Sequence, residues 1–192
     1  MSSILKVDTI QNTGGTTGLT INSSGFVLPK SYAFRAKKTS AINWTSGGGT
    51  GKLVTFNHTD GSGGTGDHSF NSGFDLSTIG TTGKVSPPVN GIYQINFQFL
   101  LSAANTGTTN IPYCGIMVNS TTASGSAFAQ NYYEHTSANE HAVIHGTTLV
   151  KLTTSDYFGI AKEDSFKYWG NGVNNHSDWN YNYVTCQLIS TT

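Results

Sequence analysis

Gly91-Ile92-Tyr93-Gln94-Ile95-Asn96-Phe97-Gln98-Phe99-Leu100-Leu101 is the stretch that decides the fold class. Tyr93, Ile95, Phe97, Phe99 and Leu101 are apolar, while Gln94, Asn96 and Gln98 between them are polar. Side chains of a strand alternate between its two faces, so this period-two pattern predicts a half-buried β-strand. The C-terminal stretch repeats the pattern, with Val184, Cys186 and Leu188 on one face and Tyr181, Tyr183 and Thr185 on the other. Further strands are expected at Tyr32–Lys37, Lys52–Asn57, Tyr113–Asn119, Val143–Leu152 and Tyr157–Ala161. Turn clusters lie between them, such as Ser46-Gly47-Gly48-Gly49, Asp60-Gly61-Ser62-Gly63-Gly64 and Gly170-Asn171-Gly172. Helical periodicity is nearly absent. Short strands joined by glycine-rich loops imply an all-β sandwich or barrel.

The first 29 residues read differently. Ile4, Leu5, Val7, Ile10, Leu19, Ile21, Phe26 and Val27 are scattered among Thr, Gly and Asn. Such a segment is too short to bury a core alone, yet its β-branched residues equip it to pair with something. Pro29 punctuates the join. The expected organisation is therefore an extended N-terminal segment, 1–29, followed by one globular head, 30–192.

Charge narrows the partners. Charged residues form 10% of the chain, against roughly 25% in ordinary soluble domains. Lys+Arg and Asp+Glu stand at 10 each, so no basic excess exists to attract nucleic acid or anionic lipid. No apolar run of about 18 residues is present, and membrane insertion is not expected. The opening Met1-Ser2-Ser3-Ile4-Leu5-Lys6 lacks the basic and apolar regions of a secretory signal. Cys114 and Cys186 form neither a disulfide framework nor a CxxC site and read as small core residues.

His135, His141 and His145 are spaced by six and four, which on strands would put them on one face, near Glu134 and Glu140; the plainer reading is solvated polar residues. His58, Asp60, Asp67 and His68 flank a glycine-rich loop without the dense Asp spacing of a calcium motif. No metal or other cofactor is expected. No Gly-x-Ser-x-Gly elbow and no His-Glu-x-x-His helix occurs. Adjacent Glu163 and Asp164 would point to opposite faces of a strand and could not flank one glycosidic bond. A non-enzymatic protein is expected.

The best candidate binding surface runs from Phe166 to Trp179. Tyr168, Trp169 and Trp179 offer flat rings for the apolar faces of sugars, and Asn171, Asn174, Asn175, His176 and Asp178 offer hydrogen bonds to hydroxyls. The competing reading makes Trp169 and Trp179 strand-end core residues. Trp44, beside Ser46–Gly49, reads as core or interface. Tyr181 and Tyr183 put aromatic bulk on the second face of the closing strand, which a lone sandwich would leave wet, so they are candidates for a subunit interface.

Val85-Ser86-Pro87-Pro88-Val89-Asn90-Gly91-Ile92-Tyr93-Gln94-Ile95-Asn96-Phe97 resembles the signature of the globular head of complement subcomponent q. Gly91, Tyr93 and Phe97 match its Gly-x-Tyr core, with Ile95 in a Phe slot and Val85 in the leading aromatic slot. Upstream, Phe56, Asn71, Phe74 and Leu76 follow the family order. Ile116–Asn119 looks like the family's strand ending in Asn-Gly, with Ser120 for the Gly. Leu149–Phe158 looks like its Gly-Asp turn, with Ser155 for the Gly, and Tyr183–Ile189 looks like its closing strand. The resemblance spans roughly residues 30–192. It implies a ten-stranded, two-sheet jelly roll related to tumour necrosis factor, assembled as a homotrimer around a threefold axis.

Ser3 to Gly25 resembles the leader of tail-fibre and appendage proteins of marine bacteriophages. That resemblance implies attachment to other virion proteins through residues 1–29. A low-charge, Thr-rich surface is also common in viral fibres. The joint expectation is a bacteriophage virion protein, a fibre or knob assembled in the host cytoplasm and released by lysis, whose trimeric head binds a host surface glycan or protein. The rivals are a purely architectural capsid-decoration or fibre-joint protein and, with less support, a polysaccharide depolymerase.

Overall fold

The computed structural model describes residues 9–11, 13–14, 17–21, 27–29, 31–38, 43–44, 53–57, 59, 69–103, 113–121, 127–132, 141–162, 173–175 and 182–192. Within these it is almost entirely antiparallel β-structure. β1 (Thr9–Gln11), β2 (Thr17–Ile21) and β3 (Val27–Pro29) form one three-stranded sheet in the order β1-β2-β3. The N-terminal segment thus pairs with itself, Ile10 opposite Leu19 and Leu19 opposite Pro29.

The large sheet is built around β7 (Gly91–Ala103), the strand read first. One edge of β7 pairs along its length with β10 (His141–Leu152). The other edge pairs with β13 (Tyr183–Thr191) and then with β12 (Val173–Asn175). The sheet continues from β13 to β4 (Ala33–Lys37) and β6 (Phe70–Ser72), and from β12 to β5 (Asn43–Trp44). A second sheet has the order β11-β8-β9, from β11 (Phe158–Lys162), β8 (Tyr113–Val118) and β9 (Ala127–Tyr132). The one described helix, α1 (Ile79–Thr82), is a single turn stopped by Gly83 at φ 71°. No described helix is long and apolar enough to cross a membrane.

One core joins the two sheets. Tyr93, Ile95, Phe97 and Phe99 of β7 are buried with Phe34, Ala36, Ile144, Val184 and Cys186 of the same sheet. Cys114, Ile116, Phe158 and Ile160 close it from the other sheet. Phe34 lies between the layers, edge-on to Phe74 at 4.9 Å and stacked on Phe158 at 6.3 Å. Tyr93 satisfies its hydroxyl by donating to the Val89 carbonyl at 2.7 Å, as a buried phenol requires. Asn182, fully buried, accepts the Leu100 N–H on its side-chain oxygen and the Lys38 N–H on its carbonyl. It ties the entry of β13 to both neighbouring strands. Cys114 and Cys186 are buried thiols rather than a disulfide, and burial pushes the Cys186 thiol well above its ordinary value.

Most expected strands match the observed ones within a few residues. Lys52–Asn57 does not form the expected ladder. Leu53 makes an isolated bridge to Ala161, the Val54 N–H donates to the Ile160 carbonyl, the Phe56 N–H to Ile79 and the Asn57 N–H to Lys37. Those hydrogen bonds go to three different elements, so the segment seals the sandwich edge without joining one sheet. The closing strand begins at Tyr183 and runs on to Thr191, past a register shift between Leu188 and Ser190. Tyr181 lies outside the described residues.

Gly146 sits in mid-strand opposite Phe97. A Cβ there would crowd the Phe97 ring, with Cζ at 2.9 Å. That ring is buried and cannot swing clear. Gly146→Ala should therefore destabilise the fold by about 1–3 kcal/mol, an overpacking cost, measurable as a lower urea midpoint with an unchanged slope.

Candidate functional site

The alternation that fills the core also builds the opposite face of the large sheet. Gln94, Asn96 and Gln98 of β7 turn away from the core and lie beside three residues of β13 and three of β10. Across the strands the rows read Lys37, Tyr183, Gln98, His145; then Phe70, Arg35, Thr185, Asn96, Thr147; then Ser72, Ala33, Gln187, Gln94, Leu149. Cross-strand neighbours stand close enough to bond. Asn96 is held on both sides, donating to the Thr185 hydroxyl at 3.0 Å and accepting from the Thr147 hydroxyl. Gln187 donates to Gln94 at 2.8 Å, and the Tyr183 hydroxyl reaches Gln98 at 3.5 Å.

The Arg35 guanidinium lies over the Tyr183 ring, 4.3 Å from its centroid. A cation there is attracted by the ring's negative face. The pair borders a concavity of about 340 Å³ shared with Asn96, Gln98, His145, Thr147 and Thr185. A second, of about 330 Å³, adjoins it through Asn96 and Thr185 and ends at Phe70. The face is flanked by apolar side chains in contact with water: Phe70 is 48% exposed, Val143 45% and Leu149 63%. Hydroxyls, amides, an imidazole and a stacked cation make this a surface equipped to bind by hydrogen bonding and stacking.

Of the residues expected at a site, Tyr183 is half-buried on this platform. Asn174 and Asn175 lie on β12, their backbones opposite Ser102 and Leu101. Tyr168, Trp169, Asn171, His176, Asp178 and Trp179 lie outside the described residues, as do His58, Asp60, Asp67, His68, His135, Glu163 and Asp164. His141 is described only as backbone of β10, opposite Ser102, and Trp44 only as backbone of β5, opposite Val173. His145 is exposed and borders the larger concavity. Among the described residues no three His, Cys, Asp or Glu side chains gather as metal ligands would.

Sequence reasoning missed Arg35, Asn96, Thr147 and Thr185 as a group. Each is an ordinary strand residue; only the pairing of β4, β13, β7 and β10 brings them together. The one available signal was the polar set of the alternation in β7, which marked a second face but not its neighbours.

No protein-family model matches the chain, and no curated protein matches it.

The described carboxylates stand away from the platform, in turns. Asp75 accepts the Ser77 N–H at 3.0 Å, which holds its carboxyl below the ordinary range. Asp156 anchors the turn between β10 and β11. It accepts from the Asn119 amide at 2.7 Å, the Thr153 N–H at 2.7 Å and the Thr153 hydroxyl at 2.8 Å. Asn119 has a left-handed backbone, φ 54°, tolerated by Asn; its N–H donates to the Tyr157 carbonyl, and its side-chain oxygen accepts the Tyr157 N–H. These donors hold the Asp156 carboxyl below its ordinary value of 3.8, the Asn119 amide contributing most. A depressed carboxylate stabilises the fold above its unfolded pKa and loses that contribution as pH falls through its folded pKa. Asp156→Ala should lower Tm at pH 7, and the gap to the unaltered protein should close progressively as thermal melts are taken below pH 3.8.

Proposed function

We propose that this chain is a structural protein of a bacteriophage virion, a fibre or knob. Its head would be a jelly roll that assembles as a homotrimer and binds a host surface glycan or protein. The observation that carries the reading is the platform face itself. It combines a half-buried Tyr183, a stacked Arg35 and water-exposed Phe70, Val143 and Leu149 on one side of a sheet whose other side is already filled. Aromatic, arginine and aliphatic groups concentrated on one face are the composition of a subunit contact. The antiparallel two-layer head and the complement-type order of its segments support the same assembly.

The separately paired β1–β3 sheet supports a distinct role for residues 1–29, which in this reading contact other virion proteins. The particle would be assembled in the host cytoplasm and released by lysis. The chain would act by binding, with no reaction of its own. Weak head contacts would be multiplied by trimer geometry through effective concentration.

Sedimentation of the full chain at micromolar concentration should give the mass of a trimer, and Tyr183→Ala should move the equilibrium toward monomer; a stable monomer of the unaltered chain would remove the assembly claim. Adhesion has its own test. Folded Trp169→Ala and Trp179→Ala proteins, built into particles, should reduce adsorption to host cells. Unchanged adsorption would leave the architectural role and remove the adhesive one.

A further inference from the structure

Arg35 carries a charge that no described side chain compensates. Its Nε is shut off from solvent and has no hydrogen-bond partner. Its guanidinium lies over the Tyr183 ring. The described carboxylates, Asp75 and Asp156, are bonded into turns with Ser77, Asn119 and Thr153. The concavity that Arg35 borders therefore holds positive charge with no counter-charge among the described residues. With the face open, water screens what is exposed of it. Once a sister chain covers the face, that screening is lost, and an uncompensated guanidinium opposes assembly.

The surroundings are those of an anion cradle. The ring of Tyr183 holds the guanidinium from one side, and a guanidinium fork matches two oxygens of a carboxylate or phosphate. Thr185 accepts from Asn96 and so keeps its own O–H to donate. His145 stands on the opposite wall with an imidazole. A volume of about 340 Å³ has room for a small oxyanion.

We propose that the Arg35 concavity is an oxyanion site, filled from solution when copies of this chain close over the platform. The ligand class is a small carboxylate or phosphate. The inference rests on the trimer reading and adds to it that assembly is linked to an anion.

Sedimentation of the full chain in inorganic phosphate and in chloride, at matched ionic strength and pH, tests this. Matching removes the difference in general screening. Phosphate should lower the concentration at which the trimer half-dissociates by roughly fivefold or more, the range of an ordinary coupling between two binding events. Arg35→Leu and Arg35→Gln should abolish the difference between the two salts. General salting-out by phosphate would act on the variants as well, so a response surviving in both folded variants overturns the site. A chain that stays monomeric in both salts removes the trimer reading, and the anion site with it. A trimer with the same midpoint in both salts keeps that reading and overturns only the anion site. If, in addition, Arg35→Leu dissociates that trimer, the partner of Arg35 is a carboxylate of the sister chain, not a free anion.

Discussion

The structure depends on one strand having two hydrogen-bonded edges. β7 bonds to β10 along one side and to β13 and β12 along the other. Its backbone polar groups are therefore satisfied inside the sheet, as burial demands. With both edges occupied, register is fixed on both sides, and every second side chain must enter the core. Tyr93, Ile95, Phe97 and Phe99 do so, each 1% exposed or less. A one-residue slip would bury Gln94, Asn96 and Gln98 in their place. The same constraint makes Gly146 necessary, because the partner strand approaches the Phe97 ring too closely for a methyl group.

What was legible in the sequence follows from how local each signal is. Alternation is local, so β4, β7, β8, β10, β11 and β13 were all readable from chemistry alone. Segment 52–57 looked like a strand because Leu53, Val54 and Phe56 are apolar and buried. Burial and ladder formation are different things, and its N–H groups go to Ile160, Ile79 and Lys37. The self-pairing of β1–β3 was hidden for the opposite reason: the segment has little alternation, and its pairing is read from hydrogen bonds. The platform was half legible. Tyr183 stood out as an aromatic on the wrong face of its strand. Arg35 and Thr147 did not, since they come from strands over a hundred residues apart and meet only through two intervening strands.

Scarcity of charge shapes how the remaining charges are used. With ten acids and ten bases in 192 residues, three of the described cations meet rings and hydroxyls. Lys84 sits over Tyr157 at 4.2 Å, Lys38 donates to the Thr55 hydroxyl at 3.2 Å, and Arg35 stacks on Tyr183. Asp75 and Asp156 accept from backbone and side-chain donors in turns. Contacts of this kind depend less on ionic strength than exposed ion pairs do, because they combine packing with short-range hydrogen bonds. The proposed passage from host cytoplasm to the outside would gain from that independence.

The same economy bears on recognition. Asn96 with Thr185 and Thr147, and Gln187 with Gln94, are already bonded to one another, so whatever covers the platform gains little by replacing those bonds. A single head would then bind weakly. Affinity has to come from groups not already committed within the sheet, or from repetition. Between subunits of the proposed trimer, Arg35 would supply the first, as a stacked charge awaiting an acceptor. For host contacts, made outside the covered platform, the proposed trimer would supply the second, since three modest sites on one rigid body act at high effective concentration. Arg35 can do its part only while Tyr183 holds the guanidinium in place, which would make the closing strand the element where packing and the proposed assembly meet.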